Sequence, residues 1–242
     1  TTARSQTTAT YGTAAASFGV AFQGAPDGCR VSHCLIYGIS GVMAVLSGTG
    51  STSTVSITVE NCLVEYPTSA TAYSYGGGCG NAQSSYPDDA EMTFRNCTFA
   101  ATGTSGSASY GLTCLTYGAF VSSSITAENC IATGATHSDF LESHNVLNSG
   151  TESMTLTNCI SSDATADDLG GSGNQVSKSA ADLFVDASSS DYSLAINSPA
   201  IDAGSSTFPS DDLVGTSRPQ GTAADVGALE ARASNRVAYL VP

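Results

Sequence analysis

Four segments of this chain align without gaps, and each ends in Asn-Cys: Ser56-Ile-Thr-Val-Glu-Asn61-Cys62, Glu91-Met-Thr-Phe-Arg-Asn96-Cys97, Ser124-Ile-Thr-Ala-Glu-Asn129-Cys130 and Ser153-Met-Thr-Leu-Thr-Asn158-Cys159. A weaker fifth copy, Arg30-Val-Ser-His33-Cys34, precedes them. From Cys34 onward the cysteines of the series are spaced 28, 35, 33 and 29 residues apart. A period in this range is the signature of a repeat architecture, in which each unit buries its apolar face on its neighbours. Within a copy, apolar residues alternate with polar ones, as Ile57 and Val59 do with Thr58 and Glu60. That period of two is a strand with one buried face. The Asn then breaks the alternation; it tolerates left-handed backbone and hydrogen-bonds locally, so it marks a bend. Each copy reads as strand, bend, strand.

A second series runs in phase with the first. Ser74-Tyr75-Gly76-Gly-Gly-Cys79 matches Ser109-Tyr110-Gly111-Leu-Thr-Cys114, with looser relatives at Ser17-Phe18-Gly19 and Asp139-Phe140-Leu141. Every period therefore holds three short strands and no helical periodicity, which excludes a βαβ sheet. The fold expected is all-β: a right-handed parallel β-helix, a solenoid with three strands per coil and about five coils. Asn61, Asn96, Asn129 and Asn158 would stack as an internal amide ladder, with Cys34, Cys62, Cys97, Cys130 and Cys159 stacked beside it.

The chain has eight cysteines, and an even count in an acidic, exposed protein suggests a disulfide framework. The repeat argues otherwise for the five stacked ones, because equivalent Cys in neighbouring coils behave as small buried apolar residues. For Cys79 and Cys114, which share one register, a bond and a free pair both stay open. A zinc site is not supported, since no CxxC pair occurs. The sequon Asn96-Cys97-Thr98 places its Asn in the ladder, where no glycan fits.

Charge narrows the partners. Seven Lys plus Arg stand against 21 Asp plus Glu, for a net charge of −14. Such a surface repels phosphate backbones, which argues against nucleic acid. No apolar run approaches the ~20 residues of a membrane-spanning helix. The first residues carry neither an initiator Met nor a signal-peptide pattern, and read as a processed or excerpted start. A uronate lyase needs calcium-binding carboxylates and an Arg or Lys base near its groove, and between residues 31 and 160 the only Arg or Lys is Arg95. A hydrolase needs paired carboxylates. The best candidates are Asp139 and Glu142 with His144, in the stretch His137-Ser-Asp139-Phe-Leu-Glu142-Ser-His144; matching it to the Tyr-Gly series sets Glu142 level with Gly77 and Leu112. An enzyme would also need tyrosines lining a groove, for which Tyr66, Tyr73, Tyr75, Tyr86 and Tyr110 are the candidates. No cofactor is expected other than a calcium ion, for which Asp163, Asp167 and Asp168, with Asn174, form a Gly-rich oxygen-bearing run. That run lacks the spacing of a defined calcium loop.

After Cys159 the repeat fades into a different signature: Asp191-Tyr-Ser-Leu194, Asn197-Ser198-Pro199-Ala-Ile201-Asp202-Ala-Gly204, Asp212, Gly215, Arg218-Pro219, Gly221 and Asp225-Val-Gly227-Ala-Leu-Glu230. This pattern resembles the C-terminal region of secreted bacterial parallel β-helix proteins of the "choice-of-anchor" kind and of related phage proteins. The match covers about residues 183–230, and the Asn-Cys coils look like the body of the same proteins. The resemblance implies fold and an extracellular, cell-surface or virion-surface location; its members include adhesins, polysaccharide-degrading enzymes and virion parts, so it implies no single activity. Residues 1–182 are thus expected to form the coils. Residues 183–230 would cap the open end, which otherwise exposes unpaired strand edges. Asp202, Arg218 and Asp225 would staple this cap by ion pairs. The tail, residues 231–242, ends in an apolar stretch that either adds to a partner's sheet or folds back. The function expected is a non-catalytic structural or binding module, a decoration, fibre or adhesin part, whose partners are other structural chains, copies of itself or surface glycans. The alternative is a carbohydrate-active enzyme acting on a neutral glycan.

Overall fold

The structure is a computed structural model that describes residues 7–11, 14–23, 28–37, 40–46, 54–68, 74–81, 89–103, 108–116, 122–142 and 151–232. Most of its regular structure is β, arranged in three stacked sheets. The first contains β1 (Thr7–Tyr11), β2 (Ala14–Gln23), β5 (Ser40–Leu46), β8 (Ser74–Asn81), β11 (Ser109–Thr116) and β14 (Ser138–Leu141) in that spatial order. The second contains β3 (Cys29–Ser32), β6 (Val55–Glu60), β9 (Ala90–Arg95), β12 (Ser122–Glu128), β15 (Thr151–Thr157) and β17 (Gly171–Ser172). The third contains β4 (Leu35–Tyr37), β7 (Leu63–Pro67), β10 (Thr98–Thr102), β13 (Ile131–Thr133) and β16 (Ile160–Ser161). From β2 to β16 the chain visits the sheets in rotation, and every pairing among these strands is parallel. This arrangement is compatible with a parallel β-helix.

The repeats pair in register. Ile57, Met92, Ile125 and Met154 form one inward column, and Val59, Phe94, Ala127 and Leu156 form the next. Each such side chain taken fully out of water contributes about 1.5–3 kcal/mol, with less for the alanine. Thr58, Thr93, Thr126 and Thr155 alternate with them on the outer face. At the end of this face Arg95 bridges Glu60 and Glu128, which flank it on the neighbouring strands, at 3.3 and 3.0 Å.

The bend after each strand has one geometry. Asn61, Asn96, Asn129 and Asn158 have φ between 48° and 53°, and His33 takes the same left-handed position at 54°. The weak fifth copy is therefore a true member, with His in place of Asn. The following Cys turns its S–H back to the carbonyl two residues earlier: Cys34 to Ser32, Cys62 to Glu60, Cys97 to Arg95, Cys130 to Glu128 and Cys159 to Thr157, at 3.2–3.6 Å. Cys62, Cys97, Cys130 and Cys159 are fully buried, whereas Cys34, in the first copy, is half-buried. None of the eight cysteines is in a disulfide. Cys79 and Cys114 are register partners with sulfurs 3.8 Å apart, far outside the ~2.05 Å of a bond.

The third sheet is apolar on both faces. Val64, Phe99 and Ala132 face the main core, while Leu63, Ala100, Ile131 and Ile160 face away from it. The outward set is covered by the C-terminal segment, through Leu183, Phe184, Tyr192, Leu194, Leu213, Val226 and Ala228. In this segment α2 (Ala180–Leu183) leads into an antiparallel hairpin of β18 (Phe184–Asp186) and β19 (Asp191–Leu194). The expectation for residues 183–230 needs correcting here: they lie along the side of the stack and do not close its end. The end is covered by residues 162–178 instead. There α1 (Thr165–Asp168) packs on β14, and Ala166, Leu169 and Val176 join the main core. Asn174 replaces the missing next strand by accepting from the Cys159 N–H and donating to the carbonyls of Leu156, Ala166 and Gly170.

Candidate functional site

The asparagine column is where the C-terminal segment is fastened. An amide-to-amide bond of the expected ladder links Asn129 to Asn96 at 3.3 Å. The amides otherwise donate sideways: Asn61 to the Asp211 carbonyl, Asn96 to Asp225, Asn129 to Thr207 and Asn158 to Ala203, at 2.8–3.0 Å. Asn129 also accepts from the Ser205 N–H, and its backbone carbonyl accepts from the Gly227 N–H. The physical reason is the left-handed bend, which aims each side chain toward the segment's backbone. That backbone runs in turns and bends, with one isolated bridge between Asp211 and Ser217. His33 continues the column by meeting the Asp211 carboxylate at 3.4 Å.

The segment is itself cross-braced by buried charge. Arg218 donates to Glu230 at 2.8 Å, to the carbonyls of Asp225 and Gly227, and to Asp211. Both members of the Arg218–Glu230 pair have fully buried side chains. Burial lowers the Arg218 pKa and raises that of Glu230. Asp202 and Asp225 were both expected to join Arg218 in ion pairs; Asp225 accepts from the N–H groups of Asp202 and Ala231. Asp202 sits at a left-handed turn with φ 55° and accepts from the Ala223 N–H. Asp212, which sequence reasoning gave no role, accepts from Val214, Thr216 and Glu230. Asp202, Arg218 and Asp225 thus all bond within the segment, together with Glu230 and Asp212.

The proposed catalytic group is not assembled. Asp139 is fully buried, and its carboxylate accepts from the Ala135 N–H, from both the N–H and hydroxyl of Ser162, and from the Asp163 N–H, at 2.6–3.3 Å. Burial pushes its pKa from 3.8 up to about 6; the Ser162 bonds pull against this and the nearby Asp163 adds to it. Phe140, and not Glu142, lies beside Leu112 and Gly77, because the core side of that register needs an apolar side chain. Glu142 follows beyond the strand's end, half-buried. His144 lies outside the described residues. His137 packs edge-on against Tyr110 at 5.1 Å, and Tyr110 stacks on Tyr75 at 5.6 Å. Tyr66, Tyr75 and Tyr110 are all buried, so none of them lines a groove. Tyr73 and Tyr86 lie outside the described residues.

The calcium candidates are dispersed in role. Asp163 accepts from the N–H and hydroxyl of Thr165 and from the Asp139 N–H, while Asp167 and Asp168 are exposed on α1. Among the described residues, no three His, Cys, Asp or Glu side chains converge to hold a metal ion. No helix among them is long and apolar enough to cross a membrane. In the tail Ala231 is buried and Arg232 exposed, and residues 233–242 lie outside the described set.

Comparison with protein-family models, curated proteins and solved structures found no match to this chain.

Proposed function

We propose that the chain is a right-handed parallel β-helix with three strands per coil, serving as a non-catalytic structural or binding module on an extracellular or virion surface. Its partners are other structural chains or surface glycans. The observation that carries this reading is the state of Asp139. Its two oxygens take four donors from the protein's own loops. A carboxylate so engaged, and fully buried, holds the chain together and is closed to a substrate. The three described tyrosines that would have lined a glycan groove pack inside. The rotation of strands through three parallel sheets supports the coil reading. The outer rows of Thr, Ser and paired Glu and Arg give a flat, rigid, hydrated face suited to display. The likeness of residues 183–230 to surface β-helix proteins supports the location.

The test is incubation of the full chain with a panel of neutral polysaccharides, followed by measurement of released reducing ends. No release above the blank is expected. Release that Asp139→Asn or Glu142→Gln abolishes would establish the carbohydrate-active alternative.

A further inference from the structure

Two of the buried thiols lie outside the Asn-Cys column. Cys79 on β8 and Cys114 on β11 are register partners on neighbouring parallel strands. Both side chains are fully buried in the main core, and Cys114 shares its inner face with Leu112. The Cys79 S–H donates to the Cys114 sulfur at 3.8 Å. The sulfurs also reach in one direction. Cys79 meets the Ser124 carbonyl at 3.5 Å and Cys114 the Ser153 carbonyl at 3.4 Å, and these serines are themselves register partners on β12 and β15. Successive strands of the first sheet thus hold two parallel side chains with their sulfurs in contact.

The column cysteines are held differently. Cys62, Cys97, Cys130 and Cys159 each turn the S–H to a carbonyl two residues back in their own strand. On the far side of Cys79 the register falls on Ala44 of β5, so within its sheet Cys79 has a sulfur on one side only. The backbone spacing suits a bond to that sulfur. Neighbouring strands lie ~4.8 Å apart, inside the ~4.4–6.8 Å between Cα atoms that a disulfide spans. The sulfurs have to close by about 1.8 Å to reach ~2.05 Å. Turns of roughly 30° about both Cα–Cβ bonds are enough for such a shift.

We propose that Cys79 and Cys114 are a site of oxidation, where a diffusible disulfide such as glutathione disulfide joins the two sulfurs across neighbouring strands while the column cysteines stay thiols. One protein thiolate attacks glutathione disulfide and releases a first glutathione thiol. The other thiolate then attacks the mixed disulfide at the protein sulfur and releases the second. Two S–H bonds break and one S–S bond forms; both protons and both electrons leave on the two glutathione molecules. The hydrogen bond with Cys114 and burial raise the Cys79 pKa, and exchange needs the thiolate, so the bond forms while the chain folds, before the pair is sealed. The proposal rests on the sulfur geometry and not on a surface location for the chain, so it and the functional reading above fail separately.

The test starts from the full chain, unfolded and reduced, then refolded in a mixture of reduced and oxidised glutathione. The fraction that regains the circular dichroism of the reduced folded chain is alkylated in denaturant and digested. Peptide mass spectrometry should find Cys79 cross-linked to Cys114, with two hydrogen atoms lost from the intact chain. Cys62, Cys97, Cys130 and Cys159 should all carry the alkyl label. In Cys79→Ser, Cys114 should be recovered as a labelled thiol; the wild-type map decides by itself if that variant does not fold. Cys79 and Cys114 recovered as labelled thiols in the wild type, or joined to glutathione or to other cysteines, would overturn the proposal. So would bonds within the column, or a chain that regains its fold only without oxidised glutathione.

Discussion

Replacing Arg218 by Met removes the charge at the centre of the C-terminal segment while keeping most of its volume. The guanidinium makes four hydrogen bonds, to Glu230, Asp225, Gly227 and Asp211, from a side chain with no solvent exposure. The substitution leaves three carbonyls short of a donor and a buried carboxylate without its counter-charge. Breaking a buried pair from one side costs about 3–5 kcal/mol. Glu230 keeps the N–H groups of Gln220 and Asp225, and as an acid whose pKa is already raised it can take up a proton, so the low end of that range applies. At about 2–4 °C per kcal/mol for a chain of this size, roughly 3 kcal/mol lowers the melting temperature by about 6–12 °C. Circular dichroism melts of wild type, Arg218→Met and Arg218→Lys measure this. Lys keeps the charge but loses the fork, so its melt should fall between the other two. An Arg218→Met melt within about 2 °C of wild type would refute the reasoning, because a segment insensitive to that charge is not braced by it.

Three further outcomes follow from the same geometry. Asp139 has a folded-state pKa of about 6 against an ordinary 3.8, so the folded chain holds its proton more tightly than the unfolded one. Its contribution to stability is complete below about pH 4 and is lost as pH rises through about 6, a change of about 3 kcal/mol. Asp139→Asn should flatten the stability–pH curve across that interval in urea titrations, and an unchanged curve would contradict the assignment. The thiols of Cys62, Cys79, Cys97 and Cys130 are buried with raised pKa values. Iodoacetamide at pH 8 should therefore leave them unmodified in the folded chain, and modify all eight cysteines after unfolding and reduction, as read by peptide mass spectrometry. At Gly171, which has φ +86°, an added methyl group would meet the Leu156 carbonyl oxygen at 1.6 Å. Gly171→Ala should cost at least 1–3 kcal/mol by forced backbone displacement, and a melt equal to wild type would show that β17 is misplaced.

The bends were legible in the sequence because Asn is among the few side chains that accept left-handed backbone, and it recurs at one place in four copies. His33 could be placed only by analogy, since His in that conformation is rarer. The inward columns were legible from strict alternation. The lateral packing of residues 183–230 was not. After each Cys the apolar residues come as a run, Leu63-Val64 or Ile131-Ala132, and a run does not say which face is buried. Read as a strand covered on both sides, it would have predicted a second layer over the third sheet. The partner of Arg218 was missed for a related reason: residues 183–230 hold seven acids, and only the folded chain brings Glu230 to the guanidinium. The sequence offers Asp139 as a candidate catalytic carboxylate because the groups that bury it, Ser162 and Asp163, arrive a whole period later.

Hydrogen exchange read by mass spectrometry, on the intact chain at neutral pH, tests most directly whether this is one stack of sheets braced along its asparagine column. Peptides spanning residues 198–231 should be protected as strongly as β9 and β12, because the N–H groups of Ser205 and Gly227 donate to Asn129, that of Ala228 to Thr98, and those of Asp225, Glu230 and Ala231 to buried carboxylates. The same peptides should lose protection first in Arg218→Met. Rapid exchange of residues 198–231 in the wild type, while β9 and β12 stay protected, would contradict the account.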